Sequence, residues 1–168
     1  LSVGATPPML RFYRQRGRPV IEQELNLSRV QRSRVYQFLK HNARPENRYY
    51  QYSFFFDNCS TRIRDVLTST LGANVDFSGV TAPQRTFRQM LDPLVASRPL
   101  LDLGFDLALG LPADRTPSRQ EVMFLPEHLM QAFGEASVTV DGERKPLVAR
   151  TDTVHWVPQY DATTPAFD

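Results

Sequence analysis

The sequence predicts an α+β fold, with capped amphipathic helices packed against an antiparallel sheet. Three observations carry this. Residues 28–42 and 58–71 each join a helix-start signal to apolar residues at helical spacing. SVTVDGERKPLVA places Asp141-Gly142 between two alternating runs, a hairpin signal. TVHWV, just beyond, adds a further strand.

A chain of 168 residues is long enough for one domain with a hydrophobic core. Apolar residues make up 41% and charged residues 23%, the balance of an ordinary globular protein. No apolar run is long enough to span a bilayer, so no transmembrane segment is expected. The opening LSVGATPPML lacks Met and the pattern of a signal peptide, and reads as the middle of a longer protein. A formal charge of +2 gives little support to a nucleic-acid partner, and none is expected. The positive charge is nearly all arginine, which suits bidentate carboxylate or phosphate contacts. A single cysteine forbids an intramolecular disulfide and leaves the compartment open.

Taken in order, residues 1–27 read as extended and loop structure, with a turn at Gly17 to Pro19 between short strand-like stretches. Arg11, Arg14, Arg16 and Arg18 then form the solvated rim of a hairpin. Ser28 and Gln31 make a capping box. Val30, Val35, Phe38 and Leu39 lie on one stripe behind it, and HNARPEN stops the helix. RYYQYSFFF has two readings. It is a strand with Tyr50, Tyr52, Phe54 and Phe56 on one face, or an irregular segment laid across a core.

The second helix starts at Asp57 or Asn58 and stops at Gly72. Cys59, Ile63, Val66, Leu67 and Leu71 form its apolar face, while Thr61, Arg62, Arg64 and Asp65 turn away. A loop and a short helix follow, the helix beginning near Thr81 to Pro83 and weakened at Pro93. The stretch 97–118 reads as buried but irregular. LPEHLMQAFGEA is a helix with Pro126 in its first turn, and the last eleven residues read as a loose tail. Residues 1–136 are expected to form the main domain, with 137–168 packed on it as a hairpin and tail.

Cys59 is the residue with chemical promise. At the first turn of a helix it meets the positive end of the dipole and unsatisfied N–H groups. These favour a thiolate and can receive an oxyanion. The alternative is a small hydrophobe in the core. A base would have to come from three histidines. His41 sits in a polar turn and His128 at the edge of an apolar face. His155, on a strand beside Trp156, suits a Cys–His pair if that strand faces the helix start. There is no metal-ligand spacing, no Gly-rich phosphate loop and no GxSxG, so neither metal nor cofactor is expected.

The stretches LNLS, RPENRYYQY, DNCSTRIRD, LGFDLALGLPADR and MFLPEHL together resemble the Lnb N-terminal periplasmic domain family of bacteria. The resemblance runs from about Leu1 to about Ala136. It implies a papain-like core, circularly permuted, related to the NlpC/P60 and lecithin:retinol acyltransferase-like group, and incomplete at its N-terminus here. It implies that Cys59 is the nucleophile, with Asn58 supporting it. It implies a periplasmic location and transfer of an acyl chain from a phospholipid, through a thioester, to a lipoprotein amine. Peptidase, amidase or hydrolase activity, or a non-catalytic envelope interaction domain, are the alternatives. The chain itself would be tethered to the membrane through residues outside it. The family's histidine, on a strand after a Gly, has no counterpart before Cys59, so it lies upstream of Leu1 or is lost. Tyr50, Tyr52 and Phe54, with the apolar PLLDLGFDLALGL, are candidates to line an acyl groove.

Overall fold

A computed structural model describes residues 4–95 and 109–157. The expected irregular stretch is therefore covered only from Leu109 onward, and the tail from 158 lies outside the described residues.

The chain opens with a helix, α1 (Thr6–Gln15), where extended structure is expected. The reason lies in Pro7 and Pro8. Prolines in a first turn lose only N–H groups that have no helical partner, and their fixed φ suits the helix. Gly17, at φ 60°, then reverses the chain into β1 (Val20–Leu25).

α2 (Arg29–Asn42) starts at the capping box that Ser28 and Gln31 predict, with both reciprocal bonds formed. Its apolar stripe is covered only in part: Val30 is 62% and Leu39 39% exposed, Val35 and Phe38 are half-buried, and Gln31 is the helix's one buried residue. Residues 49–57 take the irregular form of the two readings. The backbones of Ser53 and Asp57 exchange two hydrogen bonds of 3.0 Å, closing a tight loop around Phe54 to Phe56. Phe55, not its period-two neighbours, enters the core.

α3 (Cys59–Leu71) is capped by Asn58 and ends at Gly72, φ 55°. Its burial differs from the expected face at the first turn. Ser60 and Thr61 are buried, while Cys59 and Ile63 are exposed. Thr61 is drawn in because its hydroxyl completes the cap, accepting from the Asn58 N–H at 2.8 Å. A two-residue strand β2 (Val75–Asp76) follows. α4 (Phe87–Val95) begins later than the sequence suggests, because Thr86 and Gln89 cap one another there, and it runs through Pro93. α5 (Pro126–Glu135) follows a 3-10 turn at Glu121–Phe124.

The hairpin forms as expected. β3 (Ser137–Val140) and β4 (Glu143–Pro146) are joined by Asp141 at φ 52° and Gly142 at φ 84°, the left-handed pair of a type I′ turn. β3 also pairs with β2. β5 (Val148–His155) returns to β1 as an antiparallel ladder running from Leu25↔Val148 to Val20↔His155.

The described chain is thus a mixed α/β protein with antiparallel sheets of two and three strands. The core is aromatic. Phe87 and Phe124 are 5.1 Å apart, Phe55 stacks on Phe87 at 4.4 Å, and Met123, Leu147 and Val138 close it. α3 rests on this core through Leu67 and Leu71 and packs beside α2 and α5. Among the described residues no helix is long and apolar enough to cross a membrane.

Candidate functional site

Cys59 is the first residue of α3 and is exposed to solvent. It opens onto a cleft of about 460 Å³ between α2, α3 and the end of β1. That volume lies within the roughly 300–1,000 Å³ typical of small-molecule sites. The walls are mostly aliphatic. β1 gives Leu25, α2 gives Val35 and Leu39, α3 gives Ile63, Val66 and Leu67, and α5 gives Phe133. Asn42, Asn47, Arg48, Tyr50 and Arg62 supply the polar part. The part-open stripe of α2 and the exposed start of α3 are therefore two sides of one opening.

Asn58 fixes the mouth of the cleft. Its Oδ1 accepts from the N–H groups of Ser60 (2.8 Å) and Thr61 (2.9 Å). Its Nδ2 donates to the carbonyls of Phe54 and Phe124, both at 2.8 Å. The aromatic loop, the helix start and the 3-10 turn meet on this one buried amide. The cap also occupies two of the N–H groups that the sequence offers to an oxyanion. The backbone N–H of Cys59 itself has no partner among the described residues.

Beside the thiol, Asp57 holds Arg62 through Nε and Nη2, the latter at 2.8 Å. This bond, ahead of every other influence, pushes the Arg62 guanidinium further toward its charged form. Arg62 lies over the Tyr50 ring at 4.0 Å. Tyr52 sits 6.4 Å from Tyr50, and burial, then the adjacent Cys59 and Tyr50, push its phenol up. Phe54 packs on Phe55 and Phe124 at the edge of the core and does not line the cleft. Of the three aromatic candidates, Tyr50 lines the cleft and Tyr52 flanks it.

The histidines lie elsewhere: among the described residues none lines the Cys59 cleft. His155 ends β5 opposite Val20. His41 lies in the last turn of α2, with Asn47 Nδ2 at 3.1 Å from its Nε2. His128 lines a second cavity, between α4 and α5, where burial pushes its pKa down. Arg62 is the cleft residue that sequence reading turned outward. It stands three positions after Cys59, a spacing that puts both on one helix face.

A thiol at a helix start, opening onto an aliphatic cleft in a small mixed α/β protein, defines a class of site suited to an apolar ligand. The model of the Lnb N-terminal periplasmic domain matches residues 2–93, more than half of the chain, and the chain belongs to that family. The match takes in Cys59 and every cleft residue except Phe133. Membership gives the protein a periplasmic location in the bacterial cell envelope. No curated protein and no solved structure gives a significant match.

Proposed function

We propose that the protein is a cell-envelope thiol acyltransferase or hydrolase domain with Cys59 as nucleophile and a permuted, papain-like, NlpC/P60-type core. The observation that carries this reading is an exposed cysteine at a helix start that opens onto a cleft lined by aliphatic side chains. Sγ attacks the ester carbonyl carbon of an acyl donor, and the carbonyl π electrons move to oxygen. The tetrahedral adduct collapses, expelling the alcohol, which takes up a proton, and leaves an acyl thioester on Cys59. The Cys59 N–H, at the start of α3, would receive the oxyanion. A lipoprotein amine, or water, then attacks the thioester and releases the thiol. Phospholipid donor and lipoprotein acceptor are the expected partners.

The test is intact-mass analysis of the protein incubated with phospholipid carrying a labelled acyl chain. A hydroxylamine-sensitive adduct, absent in Cys59→Ala, is expected. A protein that forms no adduct while Cys59→Ala keeps full biological activity sinks the reading.

A second reading has an observation in its favour: no described histidine lines the cleft. A non-catalytic envelope module would keep the fold and bind partners in the same cleft. It predicts no thioester but saturable binding of an apolar ligand, unaffected by Cys59→Ser. A peptidase or amidase would instead form a peptidyl thioester.

A further inference from the structure

We propose that α1 is a membrane-docking helix that lies on an anionic lipid bilayer. It is the one described α-helix with no buried residue. Its sequence is TPPMLRFYRQ. At helical spacing Met9, Leu10, Phe12 and Tyr13 share one arc, and Arg11, Arg14 and Gln15 the other. Leu10 and Tyr13 are half-buried, whereas Met9 and Phe12 stand 43% and 48% exposed. Such a helix has apolar surface that the described residues leave uncovered.

Charge identifies the occupant. Arg11, Arg14, Arg16 and Arg18 fall within eight residues, and the first acidic residue of the chain is Glu22. Arg16 stacks over the Phe12 ring at 4.5 Å, so a cation and an exposed apolar group share one patch. A basic amphipathic helix with exposed Met and Phe fits the headgroup boundary of an anionic bilayer, where arginines meet phosphates and apolar side chains enter the acyl edge. Ten residues, about 15 Å of helix, lie in that plane and do not cross it. A periplasmic protein has bilayers within reach. The inference stands apart from the chemistry of Cys59.

The experiment is flotation of the whole chain with vesicles of phosphatidylglycerol in phosphatidylcholine, against pure phosphatidylcholine. The protein should float with the anionic vesicles, less so as salt rises. Met9→Ser/Phe12→Ser and Arg11→Gln/Arg14→Gln should each lower the partition coefficient by at least about tenfold. Arg32→Gln/Arg34→Gln, which removes the same charge from the exposed face of α2, should lower it far less. All six side chains are exposed, and unchanged circular dichroism shows that the variants fold. Failure to float, equal flotation with neutral vesicles, or equal loss in the α2 variant overturns the proposal. A protein that fails to float but dimerises through α1 would show this face to be a contact between copies.

Discussion

Asn58 makes four side-chain hydrogen bonds, two as acceptor at the start of α3 and two as donor to the carbonyls of Phe54 and Phe124. Asp and Asn are equally good helix caps, so the two halves of the amide can be separated by substitution. Asn58→Asp keeps the acceptor but turns a buried carboxylate oxygen against two carbonyls. It should cost on the order of 3–5 kcal/mol at neutral pH. Asn58→Ala, which loses the cap and orphans polar groups, should cost less, about 2–3 kcal/mol. Urea midpoints give the order, and an aspartate variant as stable as the wild type would show that the donor half contributes nothing. Protonation restores a donor, so the aspartate deficit should shrink on acidification. Glu121 supplies an opposite pH effect. Its bond to Arg115 and the Ser118 N–H hold its pKa at about 2, below an ordinary 4.5. The folded-state value is depressed, so its stabilisation is full above about 4.5 and lost as the pH falls toward about 2. Solvent screening of this partly exposed pair limits the effect to about 1 kcal/mol. Glu121→Gln should flatten the fall in urea midpoint across that acid range, and an unchanged slope counts against the assignment. The cap at Asn58 is legible in DNCST, because capping is local. Its bond to Phe124, 66 residues away, is not.

The elements repeat this division. Ser28 and Gln31 announce the start of α2, and the box forms. The same Gln31 is buried because its Nε2 also reaches the Thr139 carbonyl of β3 at 2.8 Å, a link across 108 residues that no local pattern records. Gln31→Glu keeps an oxygen for the Ser28 N–H but loses the donor to Thr139. It should destabilise by about 1–3 kcal/mol and speed amide exchange along α2. A cost below a few tenths of a kcal/mol, or faster exchange confined to the first turn, would mean that the link to β3 does not hold the helix. α1 is missed for a different reason. Residues 1–27 read as extended and loop structure, whereas Pro7 and Pro8 sit in a first turn where they cost nothing. In α3 the stripe Cys59, Ile63, Val66, Leu67 and Leu71 is a true helical face. Apolar spacing cannot say whether such a face meets a core or a cleft, and here its two ends differ.

At the scale of the whole molecule, the pairing of β1 with β5 joins residues 20–25 to 148–155, and the core gathers Phe55, Phe87 and Phe124 from three separate segments. Neither is legible in sequence, since both depend on long-range closure. The consequence is a separation of roles. The aromatic core carries stability on one side of α3, and the cleft beside Cys59 leaves part of the α2 stripe open on the other. A substitution that fills the cleft should therefore spare the fold and remove the proposed acyl transfer. Val66 stands seven residues after Cys59, lines the cleft and is only partly buried. Val66→Trp has room in a cleft of about 460 Å³. Stability should be unchanged or raised by up to about 1 kcal/mol, as cavity filling allows. Labelling of Cys59 by iodoacetamide, a small reagent, should stay within about threefold, because the thiol remains exposed. Thioester formation from a long-chain donor should fall by at least about tenfold, because a chain excluded from the cleft loses its buried methylenes. Equal loss with short- and long-chain donors would show damage at the thiol itself, and undiminished long-chain transfer would show that the acyl chain lies outside this cleft.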